Sequence, residues 1–341
     1  MLIGHFYLAL AFVPTLIAGS YTFQSIPNPA GQTQCGGAKL QNNGTFLLGC
    51  SSASNLGQDF FWNGTNYVPL TYSDAAGRSS FFAQDLNSSG QISGTVALLQ
   101  PAGNGFNVLL EAPAVRQPDG TYILQPVPAG KQQGDFATAI NDAGAFIAIL
   151  KDPGVAPGIL YQWNSVGGSA VPLSSTPAAI VQGLNSLGSI LYSSAAGNET
   201  ILRNGVAQDL GVGGVTPVYF NDLDQAVIPS GFVYFFFDGT SLQPFPAGYS
   251  AAGLNNLGVV LVQVGGTNGL WQGGVFTDLG SQFSNVFLVD INDRGQILVG
   301  SFSDGNSQLA LATPVPEPST ISFSTVGIAL MVSLLSRRRR R

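Results

Sequence analysis

Glycoside hydrolysis needs two carboxylates at a suitable separation, and the long central part of this chain carries only two glutamates, Glu111 and Glu199, beside aspartates that mostly fall in turn-like stretches. Asp222 and Asp224, in FNDLDQAVIPSG, could begin a calcium loop, but the residues that follow lack the oxygen ligands of an EF-hand pattern. The one histidine is His5, inside an apolar N-terminal stretch. Once a leader is removed, no His-dependent triad and no His-ligated zinc can form. No Walker-type or dinucleotide fingerprint is present, because glycine pairs such as Gly213-Gly214 lack a strand-to-helix context. A carboxylate-dependent carbohydrate-active enzyme is the catalytic alternative, and a non-catalytic binding or structural protein the favoured reading.

Cys35 and Cys50 are equidistant from Asn42-Asn43, which would set them opposite each other across a hairpin. A cross-strand disulfide is the expectation for an exported chain. Two buried thiols are the alternative, and a metal site would need more ligands than a lone cysteine pair supplies. No cofactor is expected.

The elements that hold these residues follow from a repeat. An apolar residue, Asn, two variable positions, Gly and an apolar run recur at Asn87, Asn141, Asn185, Asn255 and Asn292. Two copies are degenerate: Gln41 replaces the Asn in one, and Asp224 replaces the Gly after Asn221 in the other. The seven anchors are 34 to 54 residues apart, and a period of about 40–50 residues suits one four-stranded propeller blade. Asn bonds its own backbone and Gly supplies positive φ, so each anchor reads as a tight turn. Asn-Asp pairs such as Asn141-Asp142 and Asn292-Asp293 leave a cation or glycan role open.

A second turn signal follows each of five anchors, at Asn63-Gly64, Asp119-Gly120, Asn204-Gly205, Asp238-Gly239 and Gly273-Gly274. Trp62, Trp163 and Trp271 recur at the end of the third strand of their units, where packing between blades is favoured over a sugar-stacking platform. The last unit lacks a fourth strand, and YTFQSIP at 21–27 is a spare one. The expected fold is all-β: a β-propeller of seven four-stranded blades over 21–314, closed by pairing the first strand with the last unit. High Gly and Pro (44 and 20) and 9% charged residues suit short strands and many turns.

The two ends read as targeting segments. Residues 1–20 carry an apolar run followed by small residues, as a signal peptide does. Ile321 to Leu335 is uncharged and as a helix spans about 22 Å, a marginal crossing of the membrane. Arg337, Arg338, Arg339, Arg340 and Arg341 then stop transfer and stay cytoplasmic. With five of the 12 basic residues spent there, the rest of the chain is acidic and no nucleic-acid partner is expected.

Val315, Pro316, Glu317, Pro318 and Ser319, followed by the apolar span and the Arg run, resemble the PEP-CTERM sorting signal of bacterial exported proteins. That resemblance implies processing of 315–341 by an exosortase-type protease after passage through the export machinery and transient anchoring in the inner membrane. Release to the cell surface or extracellular matrix would follow, with exopolysaccharide or another surface macromolecule as partner. The repeats resemble HAF-type extracellular repeats, through the anchor turn and the endings Asp209-Leu210-Gly211 and Asp278-Leu279-Gly280; the His-Ala-Phe element itself is absent.

Overall fold

The computed structural model describes residues 20–315, apart from 53–54, 74–78, 103–105, 214–217 and 304–305. The expected leader before Ser20 lies outside the described residues. So do Pro316, Glu317, Pro318, Ser319, the expected transmembrane helix and the Arg tail. Among the described residues no helix is long and apolar enough to cross a membrane.

The chain opens with β1 (Tyr21–Ile26). A first antiparallel sheet follows as β2 (Gln34–Leu40), β3 (Phe46–Ser52), β4 (Asn55–Trp62) and β5 (Tyr67–Pro69), and a second as β6 (Ser79–Leu86), β7 (Ile92–Ala102), β8 (Phe106–Arg116) and β9 (Tyr122–Leu124). Next come β10 (Gln132–Ile140), β11 (Phe146–Lys151), β12 (Gly158–Trp163), β13 (Ala170–Leu184), β14 (Ile190–Ser194), β15 (Glu199–Arg203) and β16 (Val206–Asp209), hydrogen-bonded in that order as one sheet. Two more four-stranded sheets are β17 (Tyr219–Phe220), β18 (Ala226–Ser230), β19 (Val233–Phe237), β20 (Leu242–Pro244), then β21 (Tyr249–Leu254), β22 (Val260–Val264), β23 (Thr267–Gln272), β24 (Val275–Asp278). The last holds β25 (Phe287–Ile291), β26 (Ile297–Ser303), β27 (Asn306–Pro314) and, as its fourth strand, β1. The fold is an all-β propeller with five four-stranded blades and one seven-stranded sheet.

That longer sheet corrects the expectation of seven separate four-stranded blades. β13 is continuous over 15 residues and pairs with β12 through Ala170 to Ala178 and with β14 through Ala178 to Leu184. The two pairing stretches meet at Ala178, and residues 170–178 carry no Gly or Asn to turn the chain before that point, so one strand serves both halves. The halves nonetheless pack on each other as neighbouring sheets do, with Ile147, Ile149 and Leu160 against Ile190, Tyr192 and Leu202.

Closure is by register: Tyr21 opposes Pro314 and Ile26 opposes Leu309. The N–H of Val315 donates to the carbonyl of Ser20 at 2.8 Å. A short 3₁₀ turn, Ser281–Phe283, supports the closing strand from outside, its buried Phe283 ring 5.1 Å from that of Tyr21.

All three tryptophans take part in packing between neighbouring blades. Trp271 lies 4.9 Å from Phe236 and 4.7 Å from Phe245 of the preceding blade. Trp163, fully buried, donates from its indole N–H to Pro126 O at 3.0 Å across the same kind of boundary. Trp62 stacks on Phe46 and meets Tyr67 at a tilt within its own sheet, and shares a buried cluster with Ile26, Leu298 and Leu311 of the closing blade.

Cys35 pairs with Cys50 across β2 and β3 and the two form a disulfide. It closes a loop with a sequence separation of 15, so reducing it is expected to cost ~2–3 kcal/mol. A fall in the urea midpoint with added reductant, absent in Cys35→Ala/Cys50→Ala, measures this.

Candidate functional site

Each anchor joins the first strand of its unit to the second, so the seven anchors meet around the propeller axis on one face. The Oδ1 of Asn255 accepts the N–H groups of Leu257 (3.1 Å) and Val259 (2.9 Å), holding its own turn. Its Nδ2 donates to the carbonyl of Asn292, 37 residues on, at 3.1 Å. Asn87 donates likewise to Asn141 O, Asn141 to Asn185 O, Asn185 to Asn221 O and Asn221 to Asn255 O. Asn292 donates to Gln41 O, and the longer Gln41 reaches Leu86 O, which completes the circle.

A primary amide carries both the acceptor for its own turn and the donor to the next unit, which an ionised carboxylate does not. The turn role expected for the anchors is therefore joined by a second one, which the spacing of single repeats does not reveal. Asp224, in the Gly place, adopts φ 59°. It accepts from Asn185 Nδ2 at 2.7 Å and pairs with Arg203 at 2.9 Å.

The residues after the anchors make an outer tier. Asp142 accepts Ser88 N–H, Asp222 accepts Ser186 N–H, Asn256 accepts Asp222 N–H, Asp293 accepts Asn256 N–H and Asn42 accepts Asp293 N–H, at 2.6–2.9 Å. The carboxylates of Asp142, Asp222 and Asp293, read from sequence as possible cation or glycan groups, thus cap backbone amides. They also rim a small axial cavity of about 140 Å³.

Two residues before the anchors lies a charged layer that sequence reasoning missed. Asp290 accepts Leu40 N–H at 2.7 Å and Ile291 N–H at 2.8 Å. Asp85 accepts Ile140 N–H at 3.0 Å and Leu86 N–H at 2.8 Å. Lys39, on the sheet between them, pairs with Asp85. Burial pushes the Asp290 carboxyl up to about 7, against the pull of those two amides and Lys39. The signal was present as Asp-apolar-Asn in DLN and DIN, with Lys-apolar-Gln in KLQ.

Of the glutamates, Glu199 is buried at the start of β15. Its Oε1 accepts from Ser193 Oγ at 2.8 Å, and its Oε2 is buried without a hydrogen-bond partner. Burial raises this carboxyl above its usual range, and the Ser193 and Gln182 hydrogen bonds oppose it only in part. A raised folded-state pKa means that stability present at acid pH is lost as pH climbs through it. Glu199→Gln is therefore expected to match the wild type near pH 4 and exceed it at pH 8 in thermal unfolding. Glu111 lies on β8, on a different sheet. Among the described residues no group of three or more His, Cys, Asp or Glu side chains is arranged to hold a metal ion.

The opposite face, where second strands turn into third and sheets connect, carries the larger opening. A cleft of about 980 Å³ runs from the disulfide across Gln34, Gln58 and Asp59 to Ser80, Phe82 and Phe302. Asp59 Oδ2 accepts Ala83 N–H at 2.8 Å, and burial raises its carboxyl, that amide opposing.

No family model matches the chain, and no curated protein matches it either. Among solved structures it is similar to an oligogalacturonate lyase in complex with manganese, at 12% identity and TM-score 0.50, covering 89% of this chain and 99% of that one. It is similar also to BBS1N in complex with ARL6DN, at 11% identity and TM-score 0.51, covering 88% and 98%. A catalytically inactive virginiamycin B lyase from Staphylococcus aureus aligns at 10% identity and TM-score 0.48, covering 87% and 100%. At these identities the likeness is one of fold.

Proposed function

We propose that the chain is an exported bacterial surface or extracellular-matrix protein, a non-catalytic binding propeller of seven blades sorted through a PEP-CTERM-type signal and processed by an exosortase. The count of seven takes the two halves of the seven-stranded sheet as blades that share β13, one for each anchor in the ring.

The observation that carries the reading is the position of the chain ends. Ser20 and Val315 leave the ring side by side on the anchor face, with N and O 2.8 Å apart, where the leader and the sorting segment begin. A ring held at that point from the inner membrane would turn its cleft outward, toward exopolysaccharide or another surface macromolecule. A disulfide in the first blade suits a compartment outside the cytoplasm.

Of the carboxylates that would serve the alternative, a carbohydrate-active enzyme, Asp222 and Asp224 hold the ring, and Glu199 sits inside a blade on a different sheet from Glu111. This supports binding over catalysis.

Cell fractionation with mass spectrometry of the mature protein tests the sorting reading. The body is expected outside the inner membrane with a new C-terminus within 315–318. Protein that retains Arg341 in the envelope, or a body confined to the cytosol, would overturn it.

A further inference from the structure

We propose that the cleft opposite the anchor face is a binding site for an uncharged oligosaccharide, with Phe302 and Phe82 as stacking platforms and Gln34, Gln58, Asp59 and Ser80 as the groups that read sugar hydroxyls. This deepens the binding role above and rests on it only for the kind of partner, not for export.

Phe302 is 73% exposed and Phe82 41%. Leaving an aromatic ring in water forgoes about 2–3 kcal/mol of burial, and aromatic surface left open beside a cavity marks a place where something docks. Phe302 is also held in position. One face of its ring is stacked on Phe287, centroids 4.9 Å apart with planes at 28°, and the other face is open. A sugar ring offers an apolar C–H face to such a platform and directs its hydroxyls outward, where side-chain amides donate and accept and a carboxylate accepts.

The charge of the lining narrows the class further. Among the described residues of the cleft there is no Lys, Arg or His, and Asp59 is the one carboxylate. Among the described residues of the lining a polyuronate or a phosphorylated glycan would meet a carboxylate and no cation, whereas a neutral chain meets hydrogen-bonding and apolar groups. The volume, about 980 Å³, is at the large end for small-ligand sites and suits several sugar units. The Cys35–Cys50 disulfide in the wall keeps β2 and β3 fixed, so less order is lost on binding.

Calorimetric titration of the full-length protein with neutral gluco-, manno- and galacto-oligosaccharides, with oligogalacturonate as the anionic control, tests this. At least one neutral series is expected to bind, Phe302→Ala and Phe82→Ala each to weaken it by about tenfold or more, and oligogalacturonate not to bind. Removing Phe302 also removes its stack on Phe287, so binding is measured well below the unfolding midpoint of each variant, where the loss reads on binding. Silence across all three neutral series, preference for the anionic control, or binding indifferent to both Phe substitutions would overturn the site. A cytosolic location found in the fractionation experiment would sink export and leave this result standing.

Discussion

Asn255→Asp is expected to lower stability by about 4 kcal/mol at pH 7, although the two side chains have almost the same shape. Asp keeps the oxygen that accepts Leu257 and Val259 N–H, so the turn itself survives. What is lost is the Nδ2 donor to Asn292 O in the next blade, and a buried carboxylate oxygen then faces that carbonyl across a gap with no proton between them. The new carboxyl escapes by taking up a proton, which restores a donor. Its folded-state pKa is therefore raised, and by linkage the deficit shrinks as pH falls through that value. Urea unfolding at pH 7 and pH 4.5 measures both parts. A loss under 1 kcal/mol at pH 7, or one that does not diminish toward acid, would show that the circle of amides does not join the blades energetically.

The same residue explains what could be read in advance. The Asn-x-x-Gly turn is local, and a turn repeated at blade-like spacing gives an all-β propeller without any knowledge of long-range contacts. The spare strand and the missing fourth strand were also countable, and β1 does pair with β27. Cys35 and Cys50 were placed by their symmetry about one turn, and that turn is the hairpin between β2 and β3. The donor half of each anchor was hidden, because its partner is a backbone carbonyl in another unit, and a carbonyl leaves no mark on residue type. Asp85 and Asp290 were hidden for a related reason: each accepts an amide of the next sheet, 250 residues away for Asp290. β13 was misjudged because the absence of a turn inside 170–184 is a weaker signal than the presence of one. The cleft draws on strands of three sheets, one of which brings Phe302 from the far end of the chain, so no local pattern announces it.

Removing β1 is expected to cost more than any single substitution, about 5 kcal/mol or more. Six residue pairs tie it to β27, each inter-strand hydrogen bond contributing about 1 kcal/mol, and burial of Ile26 adds about 2–3 kcal/mol. Beyond those contacts lies a topological loss. β1 is the fourth strand of the last blade, so without it β27 becomes a free edge, and a long unpaired edge recruits other chains. The disulfide side of the ring would loosen as well, since Cys35 N–H donates to Ser307 Oγ at 2.8 Å and Asn28 Nδ2 to Ser307 O at 2.5 Å, both across the closure. A protein lacking residues 21–26 should therefore unfold at much lower urea and form oligomers in proportion to its concentration. Adding the free peptide YTFQSIP should restore the monomer, because it supplies the missing ladder without the covalent link. If the truncated protein stays monomeric and loses less than about 1 kcal/mol, β1 is an ornament on a ring that β25, β26 and β27 already complete. The stability of the propeller would then have to be assigned to the amide circle alone.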